Sequence, residues 1–100
     1  MPTKESIDVA TRRRIAAKLR YLRWEGGFET DAELAKEIGM HPKTIGKYLH
    51  GINTIGLDVL LKIHRKLHVS IDWMVDRDPP REWFDPDFVP PAGYKRLPRG

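Results

Sequence analysis

Thr30-Asp31-Ala32-Glu33-Leu34-Ala35-Lys36-Glu37-Ile38-Gly39-Met40-His41-Pro42-Lys43-Thr44-Ile45-Gly46-Lys47-Tyr48-Leu49-His50-Gly51 is the stretch that decides the fold of this chain. It opens with a capping box, in which Thr30 covers open amides and Glu33 reaches back to the cap. Leu34, Ala35 and Ile38 follow on one helical face, and Gly39 ends the helix after barely two turns. Met40-His41 leads into Pro42, a residue suited to the first position of a new helix, where its missing N–H has no intrahelical partner. Ile45, Tyr48 and Leu49 give that second helix an inner face, and Gly51 closes it. The spacing therefore predicts two short amphipathic helices joined by a tight turn.

The same period extends in both directions. Upstream, Ile15, Leu19 and Leu22 lie at i, i+4 and i+7, and Gly26-Gly27 stops the helix they define. Downstream of a loop over 52–56, Leu57, Leu60, Leu61, His64 and Leu67 fall at helical spacing and predict a longer helix with these residues inward. Ser70 is placed to cap a short fifth helix, with Asp72 at its positive end. No strand-like alternation bounded by hairpin turns occurs, so the expected class is all-α, a five-helix bundle. The expected organisation is a leader at 1–10, a domain at 11–77 and a tail at 78–100. Six of the eight prolines fall in 79–100, which predicts an extended, polyproline-like tail.

Composition narrows the function. The 100 residues carry 18 Lys and Arg against 14 Asp and Glu, a formal net charge of +4 that favours anionic partners. The charge is segregated: residues 12–23 hold six bases and no acid, whereas 72–87 hold six acids against Arg77 and Arg81. With no cysteine, disulfides, thiol nucleophiles and thiolate metal sites are excluded, and a reducing cytoplasm is the expected location. The longest aliphatic run, Val59-Leu60-Leu61, cannot span a bilayer, and the N-terminal stretch has no secretion-type apolar segment. No Gly-rich phosphate loop or nucleophile–base spacing is present, so neither enzymatic activity nor a cofactor is expected. His64 and His68 have the i, i+4 spacing of metal ligands, but an inward His64 and the lack of a third ligand argue against a metal site.

Two short helices around a tight turn, inside a bundle of about five, is the helix-turn-helix layout. In that layout the first helix lies across a sugar–phosphate backbone and the second enters the major groove to read base edges. The chain also resembles the phage-repressor-like (Cro/CI, XRE-type) DNA-binding family. The resemblance rests on Ala32-Glu33-Leu34-Ala35-Lys36-Glu37-Ile38-Gly39-Met40, Lys43-Thr44-Ile45 and Leu49-His50-Gly51. It continues through Leu57-Asp58-Val59-Leu60-Leu61-Lys62-Ile63 and Leu67-His68-Val69-Ser70-Ile71-Asp72-Trp73-Met74, without gaps from Leu34 to Met74. It implies a lambda-repressor-like bundle and a transcriptional regulator, a repressor for instance, bound to double-stranded DNA. It assigns base reading to His41, Pro42, Lys43 and Thr44, with Lys47 one turn later on the face of Lys43.

The phosphate contacts it implies fall on Thr30, His50, Asn53 and Thr54. Asp31 stands where the family often has a phosphate-bonding glutamine, and the loop at 52–55 lacks the usual basic residues. Arg12, Arg13, Arg14 and Lys18 are the expected source of the missing positive charge, against the plainer reading of a solvated helix face. Gly46, costly in mid-helix, has two explanations: close approach to DNA, or tight packing on a neighbouring helix.

One reading helix covers only a few base pairs, so a homodimer is expected. Its surface is expected on Ile71, Trp73 and Val75 together with the tail aromatics Trp83, Phe84 and Phe88. Four of the nine aromatic residues lie in 79–100, too many for a solvated disordered tail. An antitoxin-like or coactivator-like module whose tail binds a protein partner is the alternative.

Overall fold

A computed structural model describes residues 9–52 and 55–94. The chain forms α1 (Val9–Glu25), α2 (Asp31–Ile38), α3 (Pro42–Leu49), α4 (Leu57–Leu67), α5 (Ile71–Val75) and a 3-10 helix (Arg81–Phe84). There is no strand among the described residues, and the expected all-α class is borne out. α1 is the central strut and packs against α3, α5 and the 3-10 helix, while α4 closes over α2 and α5. Ile15, Leu19 and Leu22 of α1 meet Leu34, Ile38, Ile45, Leu49 and Ile63 in one core.

The helix ends follow local chemistry. Thr30 Oγ1 accepts from the Glu33 amide at 3.1 Å. The return arm differs from the expected box: Glu33 Oε1 accepts from the Glu29 amide, one residue before the cap. Gly39 takes φ 88°, a left-handed conformation that only glycine adopts cheaply, and its amide bonds the Ala35 carbonyl. Ser70 caps α5 by accepting from the Trp73 amide at 3.0 Å.

Three expectations need correction. First, α1 begins by Val9, so residues 9 and 10 belong to the bundle rather than to a leader. Second, the buried face of α4 is Val59, Leu60, Ile63 and Leu67. Leu57 is 65% exposed, and His64 faces outward, its Nδ1–H donating to the Val69 carbonyl at 2.7 Å. Helical spacing permits both stripes, and contact with α2 and α5 selects the one rotated by a residue.

Third, the segment after α5 is not simply extended. Residues 81–84 form a helical turn, and Trp83 is 3% exposed. Its ring stacks on Tyr21 of α1 at 4.0 Å between centroids and 11° between planes. Trp83 Nε1 donates to Tyr94 Oη at 2.8 Å, and the Tyr94 hydroxyl donates to Glu82 at 2.9 Å. Prolines flank the turn but leave 81–84 free of proline, and burial of the indole holds it against α1.

Candidate nucleic-acid interface

α3 is positioned by its apolar side. Ile45 and Leu49 are buried beneath it, and Tyr48 packs at the margin of the core. Its N-terminus is set by His41, whose Nδ1 accepts from the Lys43 amide at 3.1 Å, and by Pro42 at the start of the helix. His41, Pro42, Lys43 and Lys47 are exposed and Thr44 is half-buried, so the structure gathers the predicted base-reading residues on one accessible surface. Neither Lys43 nor Lys47 enters an ion pair among the described residues. Lys43, Lys47 and His50 stand at i, i+4 and i+7 and share one face. Eight residues make α3 about 12 Å long, close to the width of a major groove.

Gly46 loses one of its two explanations. A Cβ there would meet only Asp31 Oδ2, at an ordinary 3.8 Å. Packing within this chain therefore does not require glycine.

The phosphate-contact candidates separate into four groups. Thr30 is exposed at the start of α2, beside Asp31, whose carboxylate lies 3.7 Å from Arg23 Nε. Arg13 and His50 are exposed, and Arg12 is half-buried. These three line a groove of about 780 Å³ between the first half of α1, the end of α3 and Phe84. Arg14 and Arg20 also line it, and no carboxylate among the described residues does. Arg12 Nε is buried there with no hydrogen-bond partner among the described residues. Asn53 and Thr54 lie outside the described residues.

Arg14 and Lys18 are corrected: both are spent inside the fold. Arg14 Nε donates to the Val75 carbonyl at 3.2 Å, and Nη1 lies 3.7 Å from Asp78. Lys18 is 1% exposed, and its Nζ donates to the carbonyls of Trp73 and Arg77, closing the C-terminal end of α5. Its ammonium also lies 5.1 Å from the centre of the Trp73 ring. Burial, with Arg14 nearby, lowers the Lys18 pKa from 10.5 to about 8. The sequence did carry a signal: Lys18 is i+3 from Ile15 and i−4 from Leu22, on the apolar stripe.

The expected pairing surface is also reduced. Trp73 and Trp83 are core residues, 9% and 3% exposed, and are unavailable to a partner. Ile71, Val75 and Phe88 are half-buried against the core, and Phe84 is 38% exposed. Sequence reasoning missed Arg20, which donates from Nη1 to the Leu49 carbonyl and from Nη2 to the Trp83 carbonyl. One guanidinium thus ties the end of α3 and the tail to α1.

No helix among the described residues is long and apolar enough to cross a membrane. No group of three His, Asp or Glu side chains placed to hold a metal occurs among them. A search of curated proteins and a search of solved structures each found no match. A comparison with family models matches residues 30–74 to one described as helix-turn-helix, a family of DNA-binding regulatory domains rather than enzymes. The match runs from the cap of α2 to Met74, the last but one residue of α5, and spans the turn and the exposed face of α3. Residues 30–74 thus form a helix-turn-helix domain of the phage-repressor-like, Cro/CI and XRE type.

Proposed function

We propose that this protein is a sequence-specific regulator of transcription that inserts α3 into the major groove of double-stranded DNA. The observation that carries the reading is the exposed Lys43–Lys47 face on a helix whose other side is anchored by Ile45 and Leu49. Lysine there donates to guanine O6 and N7, and His41 and Thr44 supply neighbouring polar contacts. The exposed N-terminus of α2, at Thr30, takes one backbone phosphate on its open amides. The groove of Arg12, Arg13 and His50, which no carboxylate among the described residues lines, takes another, at the opposite end of α3. His50 continues the Lys43–Lys47 stripe into that groove, so a helix lying across the major groove ends against the phosphate wall.

The protein acts as a homodimer in the cytoplasm, because one α3 covers too few base pairs for a specific site. A second copy sits roughly one DNA turn away, about 34 Å. The pairing surface is Ile71, Val75 and the accessible part of Phe84, now without the two indoles and without Phe88, whose ring packs on Tyr94. Selection of duplexes from a random-oligonucleotide pool with the full chain tests the reading. A two-fold symmetric consensus is the expected result. A pool that stays random after repeated rounds, with a correctly folded protein, would refute it.

The partner-binding alternative loses two of its four tail aromatics: Trp83 stacks on Tyr21 and Tyr94 meets Trp24 edge-on, both in this chain's own α1, while Phe84 stays exposed. Removing the tail therefore removes part of the core, and a gel shift on such a truncation reports folding as well as binding.

A further inference from the structure

A second cavity, of about 550 Å³, opens between the C-terminal half of α1, the loop at 27–29 and residues 83–90 of the tail. That volume falls within the range of small-molecule sites, about 300–1,000 Å³. The stacked pair Tyr21 and Trp83 lies on one side of it, and the half-buried rings of Trp24, Phe28 and Phe88 line the rest.

The charge on its walls is unlike that of the chain as a whole. Three carboxylates, Glu29, Asp85 and Asp87, line it against two guanidinium groups, Arg20 and Arg23. Arg20 is committed to the Leu49 and Trp83 carbonyls, with Asp85 acting on its charge. Arg23 donates to the Glu29 carbonyl at 3.0 Å and lies 3.7 Å from Asp31, outside the cavity. Among the described residues neither Glu29 nor Asp87 enters an ion pair. An excess of carboxylate beside several aromatic rings is the chemistry that holds an organic cation, through the negative ring faces and direct Coulomb attraction.

We infer that this cavity binds a lipophilic organic cation, with its apolar body against Trp24, Phe28 and Phe88 and its charge near Glu29 and Asp87. Such a ligand touches the tail on one side. On the other it touches Phe28 and Glu29, which lead directly into the Thr30 cap of α2. The tail then has a role inside its own molecule: it forms one wall of a ligand site.

The probe pair is tetraphenylphosphonium and tetraphenylborate, which share a shape and differ in the sign of their charge. The chain carries a formal +4, which attracts the borate, so a preference for the phosphonium must arise in the cavity. Titration of the full chain, followed by calorimetry and tryptophan fluorescence, is expected to show one saturable phosphonium site. It should be at least about tenfold tighter than the borate. Phe88→Ala should weaken phosphonium binding roughly 2- to 30-fold. The double variant Glu29→Gln with Asp87→Asn, both exposed positions, should erase most of the charge preference while the helical circular dichroism is unchanged. Borate binding as tight as phosphonium binding would overturn the proposal. So would a charge preference untouched by the double variant, or phosphonium affinity indifferent to Phe88. None of these readouts involves DNA, so they stand or fall apart from the DNA-binding reading.

Discussion

Three residues distinguish reading DNA from holding the fold. Lys43 is exposed and has no ion-pair partner among the described residues. Lys43→Ala should leave thermal stability unchanged, cost about 1–3 kcal/mol in affinity for the selected site and relax preference at one base position. A loss that is uniform across sequences would make it a phosphate contact instead. Gly46 separates folding from binding. Gly46→Ala should raise folding stability by about 0.5–1 kcal/mol, since helical glycine is costly and the added Cβ meets only an ordinary contact. The same change should weaken DNA binding if the bare backbone faces DNA. A rise in stability with unchanged affinity would remove that role.

Lys18 gives a pH dependence with a definite sign. Its native pKa, about 8, lies below the ordinary 10.5. Between those values the unfolded chain keeps a proton that the native chain has shed, so stability rises with pH across that window. Below pH 8 both states are protonated, and the cost of burying the ammonium is fully present. Measured against Lys18→Met, the wild type should gain up to about 3 kcal/mol between pH 8 and 10.5. Urea midpoints for both proteins at three pH values across the window would show it. Parallel curves would mean that the two backbone carbonyls hold Lys18 charged throughout.

At the scale of elements, the tail is the least expected part. Trp83 fills a slot on α1, and Arg20 binds both its carbonyl and that of Leu49 at the end of α3. Trp83→Ala should therefore destabilise the whole domain, by about 3–5 kcal/mol as for other buried aromatics. α3 should loosen with it, because one guanidinium serves both segments. Amide exchange in α3 resolves the outcome. Faster exchange in 81–94 alone would show the tail to be an independent appendage. The helices themselves were legible because caps and stops are local chemistry: Thr30, Gly39, Pro42 and Ser70 act within a few residues of their own position. The phase of α4 was not, since Leu57 and His64 satisfy helical spacing as well as Val59 and Ile63 do.

At the scale of the molecule, association with DNA should weaken steeply with salt as neutralised phosphates release counterions. Arg13→Gln removes an exposed charge from the groove it shares with Arg12 and His50 and should lower the slope of log affinity against log salt by about one, with the consensus unchanged. An unchanged slope would place that groove off the DNA. The proposed dimer predicts half-sites one helical turn apart and a mass near twice 11.6 kDa on the operator.

The sequence by itself determined the all-helical class, the helix-turn-helix and the outward lysines of α3, because periodicity, caps and a glycine stop act over at most a few turns. Only the tertiary structure decided which cations are free. Arg12, Arg13, Arg14 and Lys18 look alike along the chain, yet carbonyls at the end of α5, some 60 residues away, claim Arg14 and Lys18. The tail was decided in the same way. Its prolines forbid long helices, but whether Trp83 meets water or Tyr21 depends on a surface that exists only once α1 is packed.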